Sequence, residues 1–246
     1  MNRAKSGIFG IAVCLCIITH SAFSQRRPSS VSTRPASSSI TIATEPNAII
    51  WIDEIRRGVT DASGRIELKS ISPGRHLLRV RATEFKEASS PLIAGRRSVT
   101  VKLVRTTDRA ELIFQQAEEA RDQAKDDTAR QKAAELYREA LKLRPAFPAA
   151  HVGLARVLLD LNQYQQGLAE IEEARRTRPA YAEASAVEGR IHREAAFTEE
   201  AIQSFRRAIR EGRGFQPEAH VGLARVFEEK GQYPEAILEY LSLIHI

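Results

Sequence analysis

The eight residues Ala150-His-Val-Gly-Leu-Ala-Arg-Val157 recur without change as Ala219 to Val226, an offset of 69 residues. No other feature constrains the fold as much, because an internal copy at long spacing implies structural units that stack on their own kind. The offset divides into units of 34 and 35 residues, and an intermediate copy is visible at 182–191, where Gly189, Arg190 and Ile191 fall in register. Each copy is followed by a turn and a second run with small residues at fixed points: Gly167 and Ala174, Ala201 and Ala208, then Ala236. The apolar spacing after Thr107 is helical, so each unit reads as helix, turn, helix. Such a hairpin cannot bury its apolar face alone, and neighbours stack into a right-handed solenoid with a concave groove.

These units resemble tetratricopeptide repeats. Leu154, Ala155 and Tyr164 with Pro179 closing match that pattern, as do Leu223, Ala224 and Tyr233, and an earlier unit has Ala133, Tyr137, Ala140 and Pro145 in the same places. The resemblance covers 108–246, divided at about 108–145, 148–181, 182–216 and an incomplete 217–246. Departures from the pattern are Gly167 for the usual Ala, His151 and His220 where Trp is common, and Arg213 where Pro closes other units. One extra residue before Pro217 predicts a slightly re-aimed third unit. The resemblance implies a protein-binding array in which first helices line the groove.

Before the repeats the period is two. Ile40 and Ile42, then Ile49 and Trp51, alternate with more polar positions around a turn at Asn47. Further runs are Arg65 to Ile71 after Gly64, His76 to Arg81, and Ser98 to Val104. Five or six short strands predict a small antiparallel β-sandwich over 39–104, with Trp51 in its core. The run Ile40-Thr-Ile-Ala-Thr-Glu-Pro-Asn-Ala-Ile-Ile-Trp-Ile-Asp53, then Gly58, then Ile71-Ser-Pro-Gly-Arg-His-Leu-Leu-Arg-Val80 resembles the PEGA domain, a β module of surface and envelope proteins. Glu84-Phe85 stands where such domains carry Gly-Tyr. The fold class is therefore multidomain, β then α, and the change of period between Val104 and Asp108 predicts two units that share few residues and fold independently.

The first 24 residues have the order of a secretory signal: Arg3 and Lys5, the apolar run Ile8 to Ile18, then Ser21-Ala-Phe-Ser24. The run is short for a bilayer span, so cleavage after Ser24 is expected over retention as a signal anchor, with no stable span afterwards. Residues 25–38 read as a flexible basic linker. The expected location is the periplasm or cell surface. Cys14 and Cys16 both lie in the signal, so the mature chain holds no disulfide and no thiolate metal site. The apolar run Leu241 to Ile246 at the end of the last helix leads us to expect that the protein continues past Ile246 or that these residues are not native, which admits the reading that this is the N-terminal fragment of a larger protein.

No catalytic motif is present: there is no His-Glu-x-x-His pair, nucleophile elbow, phosphate loop or dinucleotide fingerprint. No enzyme activity, cofactor or metal is expected. His151 and His220 are equivalent packing positions, too far apart along a solenoid to share an ion. Arg156, Arg190 and Arg225 hold one position in three successive first helices, with Arg193 near Arg190. Over a floor that includes Val152, Leu159, Ala186 and Val221, this row suits a protein or peptide ligand that presents carboxylates; the bland reading is that each Arg bridges to a nearby Glu. Residues 1–104 hold 16 Lys and Arg against 7 Asp and Glu. There Arg56, Arg57, Arg75, Arg79, Arg81, Arg96 and Arg97 form a candidate basic surface for an envelope polysaccharide, and export argues against nucleic acid. The reading is an exported, non-enzymatic adaptor, with a glycan-binding accessory protein as the alternative.

Overall fold

The computed structural model describes residues 38–243 apart from 54, 72–74, 94–95 and 215. The signal and nearly all of the linker lie outside the described residues, and so does the tail after Leu243. The described residues fall within one compact unit.

Alternation drives the β half. Strand β1 (Ser38–Ala43) pairs antiparallel with β4 (Arg65–Ile71) and parallel with β7 (Ser98–Thr100), giving a three-stranded sheet in the order β4-β1-β7. The second sheet runs β3-β2-β5-β6 and is antiparallel throughout: β3 (Ile55–Val59), β2 (Ile49–Ile52), β5 (Arg75–Arg81) and β6 (Ala88–Ile93). Successive strand residues point to opposite faces, and one face of each sheet supplies the core, with Ile40, Ile42 and Leu68 from the first and Ile50, Ile52, Leu78, Val80 and Leu92 from the second. The β1–β7 pair makes the sandwich mixed rather than purely antiparallel. Strands β3 and β6 fall where the sequence shows no alternation; both are edges of their sheet, and only at an edge is Pro91 of β6 tolerated, because it removes no inward ladder bond. The turn after β1 is pinned by Thr60, whose hydroxyl accepts from the Ala48 amide at 2.8 Å and donates to the Glu45 carbonyl at 2.7 Å. Gly64 is obligatory in the next turn: φ is +73°, and a Cβ would lie 2.1 Å from the Thr44 carbonyl oxygen.

The helical half contains four hairpins: α1 (Arg109–Gln123) with α2 (Asp127–Leu143), α3 (Pro148–Asp160) with α4 (Tyr164–Thr177), α5 (Ala182–Glu194) with α6 (Thr198–Glu211), and α7 (Pro217–Glu229) with α8 (Tyr233–Ser242). Asp108 and Asp126 cap the first two helices through their carboxylates, and Pro148 and Pro217 open α3 and α7, where a missing amide costs nothing. The turns inside the last three hairpins repeat one conformation, with φ of 59° at Asn162, 62° at Ala196 and 71° at Gly231. Small residues then set how closely the helices approach. A Cβ on Gly153 would meet the Tyr137 ring of α2 at 2.4 Å, and Phe205 of α6 lies as close to Gly189 of α5 and Gly222 of α7. One aromatic ring of a second helix thus fills the space left by glycine on first helices, and Tyr137 and Phe205 are fully buried.

A candidate protein-binding groove

Successive first helices lie side by side, and their polar side chains meet along one face. Arg156 of α3 forms a bidentate pair with Glu218 of α7, both bonds at 2.8 Å, and reaches Glu183 of α5 at 3.3 Å. Arg190 of α5 donates to the same Glu218 at 3.3 Å and lies 3.8 Å from Asp160. Glu183 and Glu218 each sit in the first turn of their helix, where the macrodipole favours an anion. Burial would raise the Glu218 pKa, but the Arg156 guanidinium outweighs it and brings the carboxyl down to about 2. Burial likewise opposes the charge of Glu183, and Arg156 holds its pKa below the usual value. Arg156, with its side chain 16% exposed, is therefore a bridge across three hairpins rather than an open ligand site, and Arg190 is partly committed to the same carboxylate.

Arg225 is placed differently, whereas the Arg193 side chain, 15% exposed, is as enclosed as that of Arg156. Arg193 pairs with the adjacent Glu194 and lies 3.9 Å from Glu229, while Arg225 is exposed. With Arg190 they line an open groove of about 470 Å³ over α5 and α7, floored by Pro217, Val221 and Gly222. The expected floor holds only at Val221. Val152, Leu159 and Ala186 are buried in the hairpin cores.

The other half of the groove is filled. The face of the second sheet that points away from the sandwich core carries Trp51, Arg79 and Arg81, with Trp51 directly across from Arg79. Arg79 stacks over the Trp51 ring at 4.3 Å, and Arg81 lies 5.2 Å from Trp51 and 4.7 Å from Phe114 of α1. Arg81 donates to Glu87 of its own domain at 3.0 Å and to Glu118 of α1 at 3.3 Å. Burial disfavours its charge, but these two carboxylates outweigh the penalty and raise its pKa. A cavity of only about 30 Å³ remains between Trp51, Phe114, Gly153 and Tyr181. Gln115 of α1 adds a two-way clasp: its amide accepts from the Glu84 N–H at 2.8 Å and donates to the Phe85 carbonyl at 3.0 Å. Glu84 has φ of 68°, a conformation that favours glycine, and the clasp holds it there.

Three expectations are corrected by this arrangement. The β and helical parts are joined by side chains rather than separate, with Arg81, Glu84 and Phe85 engaging Phe114, Gln115 and Glu118 of α1. Trp51 packs on the outer sheet face, not in the sandwich core. The basic surface is dispersed: Arg79 and Arg81 are 7% and 8% exposed, whereas Arg56, Arg96 and Arg97 are exposed and Arg57 is half-buried; the side chain of Arg75 lies outside the described residues.

The paired histidines prove to be clips. His151 sets Nδ1 against Glu170 at 2.6 Å and Nε2 against the Pro145 carbonyl at 2.8 Å; His220 repeats this with Glu239 at 2.6 Å and the Gly214 carbonyl at 3.3 Å. With acceptors on both nitrogens of His151 its imidazolium form is favoured. Burial works against the charge of His151, but Glu170 and Pro145 raise its pKa above the ordinary value. Among the described residues no group of three His, Cys, Asp or Glu could hold a metal, and no helix is long and apolar enough to cross a membrane.

Two tetratricopeptide repeat family models match the chain, over residues 124–191 and 187–245. No curated protein matches it. Among solved structures it is similar to MamA from Desulfovibrio magneticus RS-1, at 21% identity over 56% of this chain and 75% of that one with a TM-score of 0.47. It is also similar to the Arabidopsis OM64 TPR domain, at 23% identity over 48% of this chain and 94% of that one with a TM-score of 0.43. By these family models and the repeated hairpins, the helical half of the chain carries tetratricopeptide repeats over residues 124–245.

Proposed function

We propose that the chain is an exported, non-enzymatic scaffold that holds a protein partner in the open half of its groove, over α5 and α7. The observation that carries this reading is the 470 Å³ groove with Arg225 exposed at its rim and Arg190 and Arg193 beside it. Its volume lies within the range of ligand sites, and guanidinium groups over an apolar floor favour an extended peptide that presents carboxylates, bound bidentately. Export to the periplasm or cell surface rests on the N-terminal signal, and mass spectrometry of the exported protein, expected to start near Gln25, tests it. The β domain is read as the PEGA-like module and serves as a support for the array. An envelope-glycan surface is disfavoured, because Arg79 and Arg81 are committed to the interior of the molecule.

The test is fluorescence anisotropy with two labelled peptides, one rich in Asp and Glu with a free C-terminal carboxylate, the other its Asn and Gln counterpart. The wild-type chain is expected to prefer the acidic peptide, and Arg225→Glu with Arg193→Glu to weaken that binding at least ten-fold, or about 1.4 kcal/mol, without loss of helical circular dichroism. Equal binding of the two peptides, or an unaffected variant, refutes the reading.

A further inference from the structure

The closed half of the groove has the chemistry of an occupied binding site. An outward sheet face on a sandwich is ordinarily solvated, yet here it places two guanidiniums from one strand, Arg79 and Arg81, at less than a tenth exposure against the array. Strand geometry requires this pairing: residues two apart share a face, so Arg79-Val-Arg81 presents both cations together while Val80 points into the sandwich core. On Arg81 the array sets the Glu118 carboxylate and the Phe114 ring of α1, with Tyr181 and Glu183 at the start of α5 lining the same residual cavity, while Glu87 of the β domain itself pairs with both arginines. The coulombic influence of Arg79 and Arg81 on Glu183 supports the same placement. Carboxylates and aromatic faces are the partners that guanidinium takes when removed from water. The connection between β7 and α1 is itself fixed along the β domain, through Lys86 N–H to Val104 O and Thr106 N–H to Glu84 O, both at 2.8 Å. The occupant is therefore held at the site by a short tether, which makes its effective concentration high.

We infer that the half-groove of α1, α3 and α5 is a receptor for an extended strand carrying arginines two residues apart, and that the chain's own β domain occupies it as a tethered ligand. A partner with an Arg-x-Arg strand enters only when the tethered one is displaced. The inference does not depend on the acidic-peptide reading, since the two sites share no ligand.

The experiment uses the full chain and a capped, fluorescein-labelled peptide Leu-Arg-Val-Arg-Ala, the sequence of residues 78–82, in anisotropy titrations. Replacing Arg79→Met and Arg81→Met together removes the tethered cations while keeping side-chain length. The double variant is expected to bind the peptide saturably and at least ten-fold more tightly than the wild type, and adding Glu183→Lys is expected to abolish that gain. A peptide with both arginines replaced by methionine is expected not to bind. Equal affinity for wild type and variant would mean that the half-groove is not closed, and absence of saturable binding to the variant would mean that it does not recognise such strands; either result overturns the inference. Should the double variant lose its helical circular dichroism, Arg81→Met alone gives the same comparison, because Arg79 and Trp51 still pack within the β domain.

Discussion

Replacing Glu218 by Gln isolates the node on which the helical array converges. The substitution keeps the shape but removes the charge that receives both bonds of Arg156 and one of Arg190, leaving Arg156 with its 3.3 Å contact to Glu183. The size of the effect follows from the carboxyl itself. Its pKa is about 2 in the fold against 4.5 when unpaired, and each unit is worth about 1.4 kcal/mol, so the pair contributes on the order of 3 kcal/mol at neutral pH. That agrees with the roughly 3 to 5 kcal/mol lost when one partner of a buried pair is removed. Because the folded pKa is the depressed one, this contribution is complete above the unpaired value of 4.5 and is lost as pH falls through about 2. Urea unfolding followed by circular dichroism, in wild type and Glu218→Gln, should therefore differ by about 3 kcal/mol at neutral pH and converge near pH 2. A difference below about 1 kcal/mol at neutral pH, or one that persists undiminished in acid, would refute the placement of Glu218 as the shared acceptor.

The His151 clip predicts the opposite pH trend: its raised pKa stabilises the fold fully below the unfolded histidine value, and that stability is lost as pH rises through the higher folded one. The wild-type melting temperature should fall across that interval, and His151→Gln should remove this part of the decline, as a thermal scan at successive pH values would show. Gly222→Ala places a Cβ 2.3 Å from the Phe205 ring, which α6 cannot yield without moving off Gly189 as well; a loss of about 1 to 3 kcal/mol is expected in denaturant titration.

The helical hairpins were legible because a repeated segment states its period outright, and every hairpin boundary lies close to a proline, a capping aspartate or a turn that the sequence displays. The strands were legible where alternation was clean, as in Ile40-Thr-Ile42; the run Ile49-Ile-Trp-Ile52 is apolar throughout, so Ile49 and Trp51 were expected inward where Ile50 and Ile52 are the buried pair. Strands were hidden where an edge relaxes the rule, as in Ile55-Arg-Arg-Gly-Val59 and the proline-bearing β6. Register alone placed Arg156, Arg190 and Arg225 at one helical position, but whether a guanidinium is free depends on what neighbouring hairpins bring to it. The signal existed. Glu183 and Glu218 each lie seven residues before an arginine of the row, two turns back on the same face, so stacking sets the acid of one hairpin against the base of another. No comparable signal marked the burial of Arg79 and Arg81. An arginine facing outward from a sandwich reads as solvated unless a second domain is known to cover it, and that fact belongs to the docking of α1, not to the strand.

The two histidine clips also bear on how an array of this kind can change length. Each clip joins the loop before a first helix to the second helix that follows, through the same eight-residue segment in both places, and each segment faces an aromatic ring from the preceding hairpin, Tyr137 in one case and Phe205 in the other. The two seams are thus interchangeable in sequence and in the neighbours they require. Unequal crossing-over within the segment would insert or delete 69 residues, two whole hairpins, without creating a junction the fold has not already solved. Because the β domain rests against α1 and the start of α5, an insertion would leave the closed half of the groove as it stands and lengthen only the open half, whereas a deletion would remove α5 and with it the Tyr181 and Glu183 wall.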